Sequence, residues 1–237
     1  MTALRLFPPA LAFLSLIFWA MPSPAASYVL DDFSDVPPPP TLSLSATQNV
    51  TETDTRLATG TDAALDYSPS GLMRVTLDAD QGNFTRTATV SGGQFSFSIL
   101  DRNILAQQDT VTLFYGSAVT GESFIVPTDA AVLRLDDIAI GTSPYLLWIE
   151  LFNVGGASLG ISPTYTITSN RDFLFVLLSE IADPDLVRGL SITFAAPSET
   201  NNANVIGSIS GVLLVPEPGR AALTAMGLML LLLRRRR

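Results

Sequence analysis

Between residues 28 and 215 apolar and polar positions alternate in short runs broken by turn residues. In QFSFSIL (94–100) Phe95, Phe97 and Ile99 alternate with Gln94, Ser96 and Ser98, the period of two that marks a half-buried strand. TVTLFY (110–115) repeats it with Val111, Leu113 and Tyr115, and LSITFA (190–195) with Leu190, Ile192 and Phe194. RVTLDA (74–79) and FTRTATV (84–90) are Thr-rich and β-prone. Residues 145–152 and 173–178 are apolar at nearly every position, which predicts central strands covered on both sides, with a short helix as the alternative for each. Turn signals at Asp80-Gln-Gly-Asn83, Ser91-Gly-Gly93, Gly155-Gly156, Ser169-Asn-Arg171 and Asn201-Asn202 fall at all-β intervals. No amphipathic helix of ordinary length interrupts them. The pattern predicts an all-β fold, an antiparallel β-sandwich of jelly-roll type.

Both ends depart from this pattern. At the start, Arg5 precedes an apolar core at 11–20, and Ser23 and Ala25 stand where a signal peptidase reads small residues. Residues 1–26 therefore read as a signal peptide, with a retained N-terminal membrane helix as the alternative. Residues 27–40 read as a first strand and a stiff proline connector at 37–40, residues 41–214 as the sandwich, and residues 215–237 as a separate tail. In that tail Pro216-Glu217-Pro218 is followed by an apolar stretch at 221–233 and then by Arg234, Arg235, Arg236 and Arg237. The prolines hold the tripeptide extended, the Ala, Leu and Met that follow favour helix, and the arginines resist crossing a bilayer. The apolar stretch is shorter than the roughly 20 residues of a comfortable span, which suits a transient anchor.

This three-part order resembles the PEP-CTERM sorting signal of Gram-negative bacteria, with Gly219 and Arg220 where a small hydroxyl residue is commonest. The resemblance implies export, an inner-membrane-anchored intermediate, and processing by a membrane exosortase at Pro216, Glu217 and Pro218. Arg234 to Arg237 act as the cytoplasmic stop. The protein then reaches the cell surface or extracellular matrix. A plain tail anchor or a last buried helix is the alternative reading of the same residues.

Composition narrows the chemistry. The 237 residues include no cysteine, no histidine and no lysine, so all 13 basic residues are arginine. Disulfides, thiolate nucleophiles, the Ser-His-Asp triad, ordinary zinc sites, Schiff-base chemistry and a phosphate-cradling P-loop lysine are all excluded. Carboxylate chemistry and oxygen-ligand metals remain. Loss of both terminal segments removes Arg5, Glu217, Arg220 and the four terminal arginines, leaving seven arginines against 21 carboxylates, a net charge near −14. Such a surface repels nucleic acid and suits neutral polysaccharide or divalent cations.

Three groups of residues are candidates for chemistry. Asp78, Asp80 and Asn83 surround a glycine turn and offer oxygens to calcium, the one metal the composition favours, with the cluster Asp31, Asp32 and Asp35 as a further donor. An ordinary β-turn accounts for the same loop. The pairs Asp31-Asp32 and Asp136-Asp137 make no acid/base couple, since neighbours on a strand point to opposite faces. Glu150 lies two residues from Trp148, hence on its face of a strand, and with Tyr145 these residues form a candidate sugar contact. The alternative for Glu150 is a solvent-facing edge position or a partner for an arginine.

The opening YVLDDFSD is similar to the first strand of extracellular jelly-roll domains, including galactose-binding-like carbohydrate modules. In those folds the first strand can lie beside the last, here 204–215. The function expected is that of an exported, exosortase-sorted, non-catalytic structural or adhesive protein without a cofactor. The alternatives are a carbohydrate-binding module for extracellular polysaccharide, or a carboxylate-dependent glycoside hydrolase. The partners expected are exosortase, signal peptidase, transiently the inner membrane, and polysaccharide.

Overall fold

Alternation becomes strand throughout. The computed structural model describes residues 27–34, 42–46, 50–57, 72–79, 86–100, 110–118, 125–126, 130–141, 143–197 and 204–216. The strands in chain order are β1 (Tyr28–Asp31), β2 (Leu42–Ala46), β3 (Val50–Leu57), β4 (Leu72–Ala79), β5 (Arg86–Ser91), β6 (Gln94–Leu100), β7 (Thr110–Gly116) and β8 (Ala130–Ile140). Then come β9 (Tyr145–Phe152), β10 (Ser158–Ile161), β11 (Tyr165–Ile167), β12 (Arg171–Leu177), β13 (Gly189–Ala195), β14 (Asn204–Ile209) and β15 (Gly211–Pro216). Two single 3-10 turns, Leu178–Glu180 and Pro184–Leu186, are the other regular elements among the described residues.

One sheet runs β1-β15-β8-β14-β6-β5-β2, with β12 added on β8; the other runs β10-β9-β13-β7-β4-β3, with β11 added on β9. The pairings are antiparallel, and the first strand lies against the last, Tyr28 opposite Leu214. The molecule is thus an antiparallel two-sheet β-sandwich. Gly92 and Gly93, with φ of 60° and 76°, close the β5–β6 hairpin. Positive φ at both central residues matches the right-handed twist of the flanking strands.

The core is what the period of two selects. Phe95, Phe97 and Ile99 of β6 face Val111, Leu113 and Tyr115 of β7, Tyr145, Leu147 and Ile149 of β9, and Leu190, Ile192 and Phe194 of β13, all buried. Phe194 joins the sheets: its ring centroid lies 4.7 Å from Phe97, 5.7 Å from Phe95 and 6.0 Å from Tyr145. Gly207 makes room for this cluster, since a Cβ there would lie 2.4 Å from Phe97 Cζ and 2.8 Å from Tyr145 Cε1. Alanine at 207 is expected to cost about 1–3 kcal/mol by overpacking, read as a lower urea midpoint with an unchanged slope.

Three expectations need correction. β9 is an interior strand, but only its inner face is fully buried; Leu146, Trp148, Glu150 and Phe152 are half-buried on the outer face. β12 is not a central strand. Among the described residues it pairs with β8 alone, and Phe173, Phe175 and Leu177 are exposed while Leu174 and Val176 enter the core. The Asp136-Asp137 pair breaks alternation: Leu135 and Ile138 are both in the core, and Asp137 has φ 47°. Neither carboxylate points inward. Arg134 Nη2 donates to Asp136 Oδ2 at 2.9 Å and Ser210 Oγ to Asp137 Oδ2 at 2.6 Å, at the break between β14 and β15. Arg134 Nε lies 2.7 Å from Asp136 Oδ1 without hydrogen-bond alignment, an electrostatic contact only.

The signal-peptide region 1–26, the proline tract 37–40, Asp35, Asp80, Asn83, Glu217, Pro218 and the apolar and arginine parts of the tail lie outside the described residues. No helix among the described residues is long and apolar enough to cross a membrane.

Candidate functional site

The outer face of the seven-stranded sheet holds the polar positions that alternate with its core residues. Registers of β9, β13 and β7 line them into two adjacent rungs. Trp148 lies opposite Thr193, which lies opposite Thr112; Glu150 lies opposite Ser191, which lies opposite Phe114. Backbone register extends these rungs to Thr76 and Arg74 of β4. Trp148 and Phe114 sit two strands apart, about 10 Å across the sheet.

The floor of this face is polar and recessed. Ser191 and Thr193 are 2% and 7% exposed, while Trp148, Glu150, Thr112 and Phe114 stand half-buried around them. Thr112 and Thr193 share a hydrogen bond of 3.1 Å between their hydroxyls. Among the described residues the Trp148 indole N–H, the Glu150 carboxylate and the Ser191 hydroxyl make no hydrogen bond or ion pair. Of the three, Trp148 and Glu150 are half-buried and reach the surface. The strand of Glu150 is interior, flanked by β13 and β10, so Glu150 is not at a sheet edge, and no arginine among the described residues pairs with it. An indole plane beside hydroxyls and a carboxylate can stack one face of a pyranose ring and bond its hydroxyls. The two rungs supply one carboxylate, whereas glycoside hydrolysis uses a facing pair.

Tyr145, grouped with these two from the sequence, does not join them. It is fully buried on the inner side of β9, edge-on to Phe97 at 5.3 Å, with its hydroxyl 3.5 Å from the Ala139 carbonyl oxygen. An odd spacing from Trp148 puts it on the opposite face. Burial pushes its phenol far above the ordinary value of 10.0, with the Arg171 charge pulling weakly the other way. Below about pH 10 the phenol is neutral in both folded and unfolded chains; above it only the unfolded chain ionises. Stability is therefore expected to fall by about 1.4 kcal/mol per pH unit on this account. Urea midpoints on either side of that pH should show the slope, and Tyr145→Phe should remove it.

Asp78 stands in β4 with its backbone opposite Thr51 and Thr110, not in a turn. Among the described residues no group of three His, Cys, Asp or Glu side chains is placed to hold a metal ion. Asp31 is fully buried: the Phe33 N–H donates to its Oδ1 at 2.9 Å and the Tyr115 hydroxyl to its Oδ2 at 3.4 Å. It ties β1 in one sheet to β7 in the other. Asp32 closes a local turn by accepting from the Ser34 N–H at 3.0 Å. Pro216 is the last residue of β15, so the tripeptide begins where the sandwich ends.

No known family profile matches the sequence, and no curated protein matches it. Among solved structures the chain is similar to the family 11 carbohydrate-binding module of the cellulase Lic26A-Cel5E of Clostridium thermocellum. That likeness has 13% identity and a TM-score of 0.40 over 82% of this chain and 97% of that one. The enzymatically active domain of tailspike protein 4 of bacteriophage CBA120 shares 13% identity at a TM-score of 0.36, covering 74% of this chain and 19% of that one. A carbohydrate-binding module specific for non-crystalline cellulose shares 15% at 0.29, covering 58% and 78%. Likenesses this distant give no weight to one function over another.

Proposed function

We propose that the chain is an exported, exosortase-sorted protein of the cell surface or extracellular matrix, whose β-sandwich has a structural or adhesive, non-catalytic role. The three-part tail carries this reading: Pro216-Glu217-Pro218, an apolar stretch at 221–233, and four terminal arginines. The leader-like pattern of residues 1–26 and the acidity of the remainder support it. Expression in a host with and without its exosortase tests the reading. With the enzyme the protein should appear at the surface or in the medium; without it, in the inner-membrane fraction. An identical distribution in both hosts rules the reading out.

A second reading is favoured by the paired rungs on the outer sheet face. There Trp148 and Glu150 bind an uncharged extracellular polysaccharide, which a domain of net charge near −14 does not repel.

A further inference from the structure

Among the described residues the strand pairings and the core lie between residues 27 and 216, and residues 27–215 form one compact unit. On the surface of that unit, three of the exposed large apolar side chains fall on a single strand: Phe173 (53%), Phe175 (49%) and Leu177 (39%) of β12. The two rings touch, with centroids 4.8 Å apart. They lie opposite Asp136 and Arg134 of β8, so the whole stripe is on the outer face of the eight-stranded sheet. On its other side β12 has no strand partner among the described residues. It therefore presents a row of unpaired backbone N–H and C=O groups next to an apolar stripe. Its charges, Arg171 and Asp172, are confined to the first two residues, and the five that follow, FLFVL, carry no charge, no proline and no register shift.

We propose that β12 is a self-association edge, pairing antiparallel with β12 of a second copy. A two-fold axis normal to the sheet keeps outer residues opposite outer residues, so only registers centred on a residue are allowed. The register centred on Leu174 pairs all seven residues. It sets Phe173 opposite the partner's Phe175, and the reverse, fusing two stripes into one four-ring cluster.

Charge supports the same register. Arg171 opens the strand and Glu180 follows its end by three residues; both are exposed, and neither is in an ion pair among the described residues. Antiparallel pairing brings the start of each strand beside the end of the other, so Arg171 meets the partner segment bearing Glu180, twice by symmetry. The contact is isologous and closes at two copies. Half-exposed rings leave about 100 Å² each to cover, so the rings contribute roughly 400 Å² in all. With the strand backbone and Leu177 this stays below the ~1,200 Å² at which stable specific interfaces begin, and the association is reversible, in the micromolar range or weaker.

This inference does not depend on the sorting or sugar readings. Sedimentation equilibrium of residues 27–215 from about 1 µM to 1 mM tests it. The expected result is a rise from one copy to two. Phe175→Lys, an exposed position, should leave one copy at every concentration with circular dichroism and melting unchanged. The chain has no cysteine, so introduced thiols report register without background. A mixture of Phe173→Cys and Phe175→Cys chains should cross-link well ahead of either alone. A monomer throughout, a Phe175→Lys dimer, or cross-linking without that preference would overturn the proposal.

Discussion

Phe194→Ala is expected to destabilise the sandwich by about 3–5 kcal/mol, lowering its melting temperature by roughly 6–20 °C for a domain of this size. The ring is fully buried and belongs to β13, in the middle of the seven-stranded sheet. Its partners Phe95 and Phe97 belong to β6 of the other sheet, and Tyr145 to neighbouring β9. Truncation removes the transfer free energy of a large side chain and opens a cavity between rings that stiff strands hold apart. Without cysteine the chain has no disulfide to offset the loss. Thermal and urea unfolding of residues 27–215 provide the check. A loss below about 1 kcal/mol would mean that the two sheets are not joined through this cluster.

Trp148→Ala is expected to weaken binding of an uncharged polysaccharide about 30-fold, the effect of removing about 2 kcal/mol at an aromatic contact. Glu150→Gln keeps the shape of the rung and exchanges a charged acceptor for a neutral amide, so a smaller loss is expected. Tyr145→Phe serves as the control: it alters the core behind the same strand and should leave affinity unchanged. Isothermal titration against soluble neutral glucans, galactans and mannans reads all three. Equal affinity of the parent and Trp148→Ala would remove the outer face from consideration, as would no binding by the parent to any of them.

Legibility in the sequence followed the reach of each physical signal. Alternation is local, so QFSFSIL, TVTLFY and LSITFA could be read as strands with the correct inward residues. Spacing of two put Trp148 and Glu150 on one face for the same reason. Neighbouring strands are set by long-range pairing, which no local pattern encodes. Nothing local told that β13 would lay Thr193 between Trp148 and Thr112, and Ser191 between Glu150 and Phe114. Phe173 and Phe175 looked like central-strand residues because apolar composition does not distinguish a covered face from an open edge. Asp137 misled in another way: one residue at positive φ shifted the parity of the strand and took both carboxylates outward.

The mass of the mature protein tests exosortase processing of the tail most directly. Protein recovered from the surface of an exosortase-containing host should have an intact mass that ends at or next to Pro216-Glu217-Pro218. A mass retaining Leu228 to Arg237 in most molecules would contradict the account and leave a plain tail anchor in its place.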